Sequence, residues 1–326
     1  MRIAVDGMGG DHAPEEIVKG AAQAAADLGV DITVVGTPSR LEPLLDSYRS
    51  LQLVPSSEEI GMDEHPAQAV RQKRDASMVV CARLCKEGKA DGWVSAGNSG
   101  AVMASSLLVQ GRIRGVERPA LGSVIPTAGR PSYFLDVGAN VDSRPEYLVQ
   151  FAKMAAVYAR DVMGRKAPKV GLLANGEEDT KGDSLVRETH QRLRRDSTGF
   201  EFVGNIEPQE LVKGTADVIV ADGFVGNVAI KMAEASIDML LGVMRQEIPR
   251  SLSGKLGGLL IRPGIQRIRG RLDWREFGGA PLLGIDGVAV VAHGRSDARA
   301  MRNAIRVAAQ AVEVGLVERI REAVGR

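Results

Sequence analysis

The chain has 326 residues and is poor in several features that would mark particular functions. Aromatic residues make up only 4% of it, so the stacking platforms that hold single-stranded nucleic acid are largely missing. Net charge is nearly absent, because 42 Lys and Arg against 41 Asp and Glu leave +1. No whole-molecule field therefore gathers nucleic acid or anionic lipid, and any such partner must be met by a local patch. The two cysteines, Cys81 and Cys85, sit four apart on a predicted helix and cannot by themselves build a zinc cluster or a disulfide framework. No stretch reaches the roughly 18 uncharged apolar residues of a spanning helix. The opening MRIAVDGMGG carries Asp6 where a signal peptide keeps its apolar core unbroken. These absences point to a cytoplasmic globular protein that does not bind nucleic acid.

What is present, 44% hydrophobic and 25% charged residues, suits an ordinary folded chain of one large domain or two. Short β-branched runs alternate with helical patterns from end to end, the form of βαβ units around a buried parallel sheet. The expected strands are 2–6, 31–36, 91–97, 132–139, 169–176, 200–206, 216–224 and a long run at 281–294. The expected helices include one started by Pro14 and ended by Gly29, one from about Ser99, one over 145–163, one from Gly226, and a terminal Ala-rich helix capped by Ser296. No repeat or low-complexity linker divides the chain, so one α/β body over 1–326 is the simplest organisation.

Glycines and small polar residues concentrate after the predicted strands, in DGMGGDH (6–12), SAGNSGA (95–101), DVGAN (136–140), NGEEDTKGD (175–183), DGFVGN (222–227) and FGGAPLLG (277–284). In an open parallel sheet such loops share one rim, where helix N-termini and unshielded backbone N–H groups favour an anion. A phosphate or carboxylate site is the inference, although glycine in a single βα turn is commonly only steric. There is no GxxxxGK[ST] loop, no GxGxxG turn after the first strand and no GxSxG elbow, which argues against ATP hydrolysis, classical hydride transfer and a serine acyl-enzyme. Asp6, Asp11, Asp136 and Asp222 could gather a divalent ion, but strand-end aspartates more often cap helices or brace loops, and no metal is expected.

Residues 245–275 break the pattern. They carry eight Lys or Arg against Glu247 and Asp273, with Gly and Pro throughout, and a broken pair of amphipathic helices projecting from the body at about 237–275 is predicted. The candidate contact residues are Leu252, Lys255, Leu256, Leu259, Leu260, Ile261, Arg262, Ile265, Arg267, Ile268 and Arg269. Three readings stand open for them: a solvated excursion covering a dimer partner, a membrane-surface contact, or an acidic-protein contact.

The ordered set VDGMGGDHAP (5–14), SAGNSGA, RPAL (118–121), DVGAN, NGEE (175–178), GN at 204–205, DGFVGN, GGAPLLG (278–284) and HG at 293–294 resembles the bacterial phosphate acyltransferase family nearly end to end. Small departures are LLANGEE with Ala174 and Asn175 where the family has LLNIGEE, HGRS with Arg295 where it has HGSS, and Ser99 in place of Thr. The resemblance implies a three-layer Rossmann-like fold of the isocitrate/isopropylmalate dehydrogenase kind, a mostly parallel sheet with a projecting helical tip. It implies an enzyme without cofactor that makes acyl phosphate from long-chain acyl-acyl carrier protein and orthophosphate, the first step of an acyl-phosphate route to phospholipid. A homodimer with peripheral membrane contact, near the glycerol-phosphate acyltransferase that consumes the product, is also implied.

The implied chemistry is physically consistent, because dianionic orthophosphate can attack a thioester itself and leaves the protein to position, exclude water and stabilise charge. The resemblance places the family's functional lysine at Lys181 and its asparagine at Asn227; a surface lysine and a plain helix cap are the alternatives. Gly97, Asn98, Ser99 and Gly100 are the first candidates for phosphate contact, with Gly138, Asn140 and Gly226 beside them. His12 and His293 border Gly-rich loops and could donate to phosphate, protonate the leaving thiolate, or simply brace structure. His65 and His190 are read as surface residues. No local motif marks an apolar groove for the acyl chain. Competing readings are a short-chain phosphotransacetylase-like enzyme using CoA thioesters and a non-catalytic phosphometabolite-binding regulator.

Overall fold

The computed structural model describes residues 1–325, without the side chains of Leu252 and Trp274. Strand β1 (Arg2–Asp6) leads through α1 (Glu15–Leu28) to β2 (Asp31–Gly36), and α2 (Pro38–Leu45) to β3 (Leu51–Pro55). Helices α3 (Pro66–Gln72) and α4 (Ser77–Lys86) precede β4 (Gly92–Ser95), and α5 (Ser99–Ser105) widens into a π-helical turn, Ser106–Gln110. Next come β5 (Ala120–Ile125), β6 (Ser132–Leu135), α6 (Pro145–Asp161), β7 (Lys169–Leu173), α7 (Ser184–Arg195), β8 (Glu201–Ile206), α8 (Glu210–Lys213) and β9 (Val218–Val220). The chain closes with α9 (Gly223–Glu247), α10 (Leu252–Leu272), α11 (Trp274–Phe277), β10 (Ala280–Leu283), β11 (Ala289–Val291), α12 (Ala298–Glu313) and α13 (Leu316–Val324).

All eleven strands form one sheet in the order β3-β2-β1-β4-β11-β10-β5-β6-β9-β7-β8. Pairing is parallel within β3 to β11 and within β6 to β8, but β10 is antiparallel to both β11 and β5, and β5 is antiparallel to β6. Chain length accounts for two of these three antiparallel pairings, and the long-range pairing of β10 with β5 supplies the third. Residues 284–288 and 126–131 are too few for a crossover, so each can only turn the chain back on itself. The run 281–294 is accordingly two strands and not one, divided after Gly284, which takes a φ of +91°. The two parallel halves thus point in opposite directions. Their glycine loops lie at opposite edges of the sheet, not on the single rim expected, and FGGAPLLG begins at the amino end of β10.

Side chains alternate across the sheet, Ile3 and Val5 packing with α1 and α12, Ala4 with α4. Helices α1, α6, α12 and α13 cover one face, while α3 to α5 and the start of α9 cover the other, which completes three layers. Fully buried Trp93, Tyr133, Phe134 and Phe151 anchor these layers, the two phenylalanines each stabilising the fold by roughly 1.5–3 kcal/mol. Cys81 and Cys85 both lie in α4, and burial pushes the Cys85 thiol up to about 12.

Two helix starts differ from expectation. Asp297, not Ser296, caps α12 by accepting from Ala300 N, and α9 begins at Gly223 under an Asp222 cap. The projecting segment also differs. Helix α9 runs unbroken to Glu247, the chain turns at Ile248–Arg250 where Pro249 sits, and α10 continues through Pro263 and five glycines. No described residue of α10 is buried.

Candidate active site

At one edge of the sheet, the loops after β1, β4 and β11 are locked together. Asp6, fully buried, accepts from Ser95 Oγ at 2.6 Å and from Met8 N at 3.1 Å, and Ser95 Oγ accepts from Gly97 N at 3.0 Å. Asp11 N donates to Gly294 O at 2.7 Å. Gly9 is required here, since a Cβ would lie 2.7 Å from Gly97 N. Asn98 caps α5 by accepting from Ala101 N, while its Nδ2 donates to the carbonyls of Gly61, Met62 and Glu64 and holds that loop over the helix start. Its amide is committed to structure, and Ser99 is the residue of SAGNSGA that reaches forward.

At the opposite edge, the Asp136 carboxylate accepts from Leu121 N, Gly138 N, Ala139 N, Asn140 N and Asn140 Nδ2 at 2.8–3.1 Å. The DVGAN backbone thus closes on its own buried carboxyl group. Asp222 caps α9 by accepting from Phe224 N and Val225 N, and Gly223 N donates to Asn140 O. Gly226 has a steric reason, because a Cβ would sit 1.8 Å from Asp136 O. Asn227 follows, its side chain packed over Gly138.

Next to this edge, Asn175 Oδ1 accepts from Gly182 N at 2.9 Å and closes the loop that carries exposed Lys181. His190 is buried, a correction to its reading as a surface residue: its Nδ1 faces Asn205 Oδ1 at 2.9 Å, and Asn205 Nδ2 donates to Glu178 O at 2.9 Å. The GN pair of β8 is therefore a clamp on the lysine loop. His65 is exposed, as expected.

Between the edges, a cleft of about 280 Å³ runs over the antiparallel middle of the sheet, with α9 as its second wall. Leu121, Ile125, Phe134, Leu211, Ile230 and Ile237 are among its apolar lining, and its polar groups include Ser99, Asn227, Lys231, Glu234, His293 and Arg295. Asn227, Lys231 and Glu234 recur at intervals of four and three on α9, which stacks them on one helix face. His293 stands exposed at the mouth. Loss of ring hydration, then the charges of Arg295 and Lys231, hold its imidazole below the ordinary histidine range, with Asp11 opposing. Burial moves the Glu234 carboxyl the other way, above the usual carboxylate range.

The structure therefore brings Ser99, Asn227 and His293 together. Lys181, His12, Gly97, Asn98, Gly100, Gly138, Asn140 and Gly226 lie outside the lining. Lys231, Glu234 and Arg295 were not singled out from sequence as site residues. The helical spacing from Asn227 was the available signal for the first two, and Arg295 stood out only as a departure from HGSS. Asp6, Asp136 and Asp222 brace loops, and among the described residues no group of three or more His, Cys, Asp or Glu could hold a metal ion. An apolar trough whose lining also holds cations and amide or hydroxyl donors suits an amphiphile with an apolar part and an anionic group.

Comparison with known proteins agrees with this chemistry. A family model described as "Fatty acid synthesis protein" matches residues 1–319. A phosphate acyltransferase of Nostoc sp. (strain PCC 7120 / SAG 25.82 / UTEX 2576) is 48% identical over 98% of this chain and 95% of that protein. One of Dictyoglomus turgidum is 47% identical over 100% and 98%. In fold, the chain is similar to a phosphotransacetylase from Streptococcus pyogenes (TM-score 0.66, 19% identity, 96% and 94% of the two chains). It is also similar to 4-hydroxythreonine-4-phosphate dehydrogenase from Klebsiella pneumoniae (TM-score 0.57, 14% identity, 95% and 99%). With a family model over residues 1–319 and near-complete coverage of relatives at almost half identity, the chain belongs to the phosphate acyltransferase family.

Proposed function

We propose that this protein transfers a long acyl chain from acyl carrier protein to orthophosphate, and so makes acyl phosphate as the first step of phospholipid synthesis. The observation that carries this reading is the cleft, whose apolar walls accommodate the chain while Ser99, Asn227, Lys231, His293 and Arg295 add donors and positive charge to the same lining. Phosphate held there attacks the thioester carbonyl directly. Asn227 stabilises the charge that develops from within the cleft, Lys181 is given the same task from the neighbouring loop outside the lining on the family resemblance alone, and the apolar walls keep water from competing. Residues 1–326 act as one unit, since both halves of the single sheet contribute to the cleft.

The remaining surface supports two partners. Val225, Val228, Met232, Met239 and Val243 form an exposed apolar row along α9, on the side away from the cleft, which suits a second copy of the chain. Leu256, Leu259, Leu260, Ile261 and Ile268 are exposed on α10 among Lys255, Arg262, Arg267 and Arg269, which suits an anionic membrane surface near the glycerol-phosphate acyltransferase; the side chain of Leu252 lies outside the described residues, and Ile265 is half-buried. No helix among the described residues is long and apolar enough to cross a membrane.

The test is purified protein with labelled orthophosphate and palmitoyl-acyl carrier protein. Labelled acyl phosphate is expected. Release of free fatty acid, or no reaction, rejects the proposal, and turnover of short-chain CoA thioesters alone replaces the carrier-protein substrate with CoA.

A further inference from the structure

We propose that Glu234 carries the proton of the reaction, delivering it to the departing sulfur. The inference rests on the acyl-transfer reading above. Glu234 lines the cleft on the same face of α9 as Lys231 and Asn227, one and two turns away. It is half-buried, and no hydrogen bond to another described residue holds its carboxyl. Arg295 faces it from the loop after β11, Lys231 and Asp238 from α9 itself, and His293 lines the same cavity.

The proton has to be accounted for. Hydrogen phosphate forms a new bond from oxygen to the carbonyl carbon, the carbon–sulfur bond breaks, and sulfur departs with the electron pair. Protonated Glu234 gives its proton to that sulfur, and the resulting carboxylate takes the remaining hydrogen from the phosphate oxygen. The products are the acyl phosphate dianion and a free thiol, with Glu234 restored. Burial, the largest influence on this carboxyl, favours the protonated form; Arg295 opposes it, Asp238 adds to it, and Lys231 opposes it. His293, held below the ordinary histidine range first by lost ring hydration, stands exposed at the mouth, whereas Glu234 is half-buried in the wall. A carboxylic acid in an apolar wall beside two cations is suited both to give the proton and to exist briefly as an anion.

The experiment compares two acyl donors in wild type, Glu234→Gln and Glu234→Asp. Palmitoyl-acyl carrier protein leaves as an alkyl thiolate that needs a proton, whereas S-(4-nitrophenyl) thiopalmitate leaves as a stabilised thiolate that does not. We expect Glu234→Gln to lower kcat with the carrier donor by about a hundredfold, but to stay within about threefold of wild type with the nitrophenyl donor. Glu234→Asp should restore much of the first rate with a displaced pH profile. Equal losses with both donors, or no loss with either, overturn the role of Glu234 while leaving acyl transfer standing. If Glu234→Gln does not fold, Glu234→Asp with an unchanged pH profile and no donor dependence overturns it equally. Wild type inactive toward both donors rejects acyl transfer and this inference with it.

Discussion

Asp6 accepts hydrogen bonds from Ser95 and Met8 in full burial, yet no cation among the described residues lies against it, and burial outweighs the donors to raise its pKa above the ordinary aspartate value. The folded state then binds this proton more tightly than the unfolded chain. Its contribution to stability is complete below the unfolded pKa and is lost as pH rises through the folded one. We predict that the urea midpoint of wild type falls relative to Asp6→Asn as pH rises above about 4; a difference that stays constant with pH contradicts the raised pKa. Lys181 and Asn227 belong to the same scale. Each change to alanine is expected to lower acyl-phosphate formation at least about tenfold, a loss of roughly 1.4 kcal/mol of transition-state stabilisation, with an unchanged melting temperature. Near-normal rates in both would move the chemistry to other residues, Lys231 first among them.

Helices α9 and α10 show how far pattern alone reaches at the scale of the element. The basic, glycine-rich character of 245–275 is plain in sequence, and so is its apolar content, but the position of the break is not. Pro263 leaves α10 continuous, whereas Pro249 coincides with the turn. Leu259 and Leu260 are 63% and 74% exposed, so they are available to a surface and contribute little to the fold. Replacing both by glutamate is predicted to abolish flotation with anionic vesicles while turnover of carrier substrate away from membranes is retained, and flotation that persists would reject the membrane role. The loop after β7 makes a second case. NGEE, Lys181 and the GN pair at 204–205 were all legible as motifs, but the clamp between Asn205, His190 and Glu178 joins residues far apart in the chain and depends on the pairing of β7 with β8.

For the whole molecule, the exposed row on α9 sets the expected assembly. Met232 and Met239 are 66% and 68% exposed on a helix whose other side lines the cleft, so a partner chain would cover one face without closing the other. Wild type is expected to sediment as a dimer and the Met232→Glu, Met239→Glu double variant as a monomer; a monomeric wild type refutes the assembly. The family, the α/β class, the glycine loops and most strand positions are determined by sequence alone, because hydrophobic period and turn chemistry are local properties of neighbouring residues. Only the tertiary structure decides that the two parallel halves run oppositely, that the loops therefore occupy two edges, and that a cleft lies between them. Those outcomes depend on which strands pair across the middle of the sheet, and the contacts of β5 and β10 that reverse its direction join segments more than a hundred residues apart.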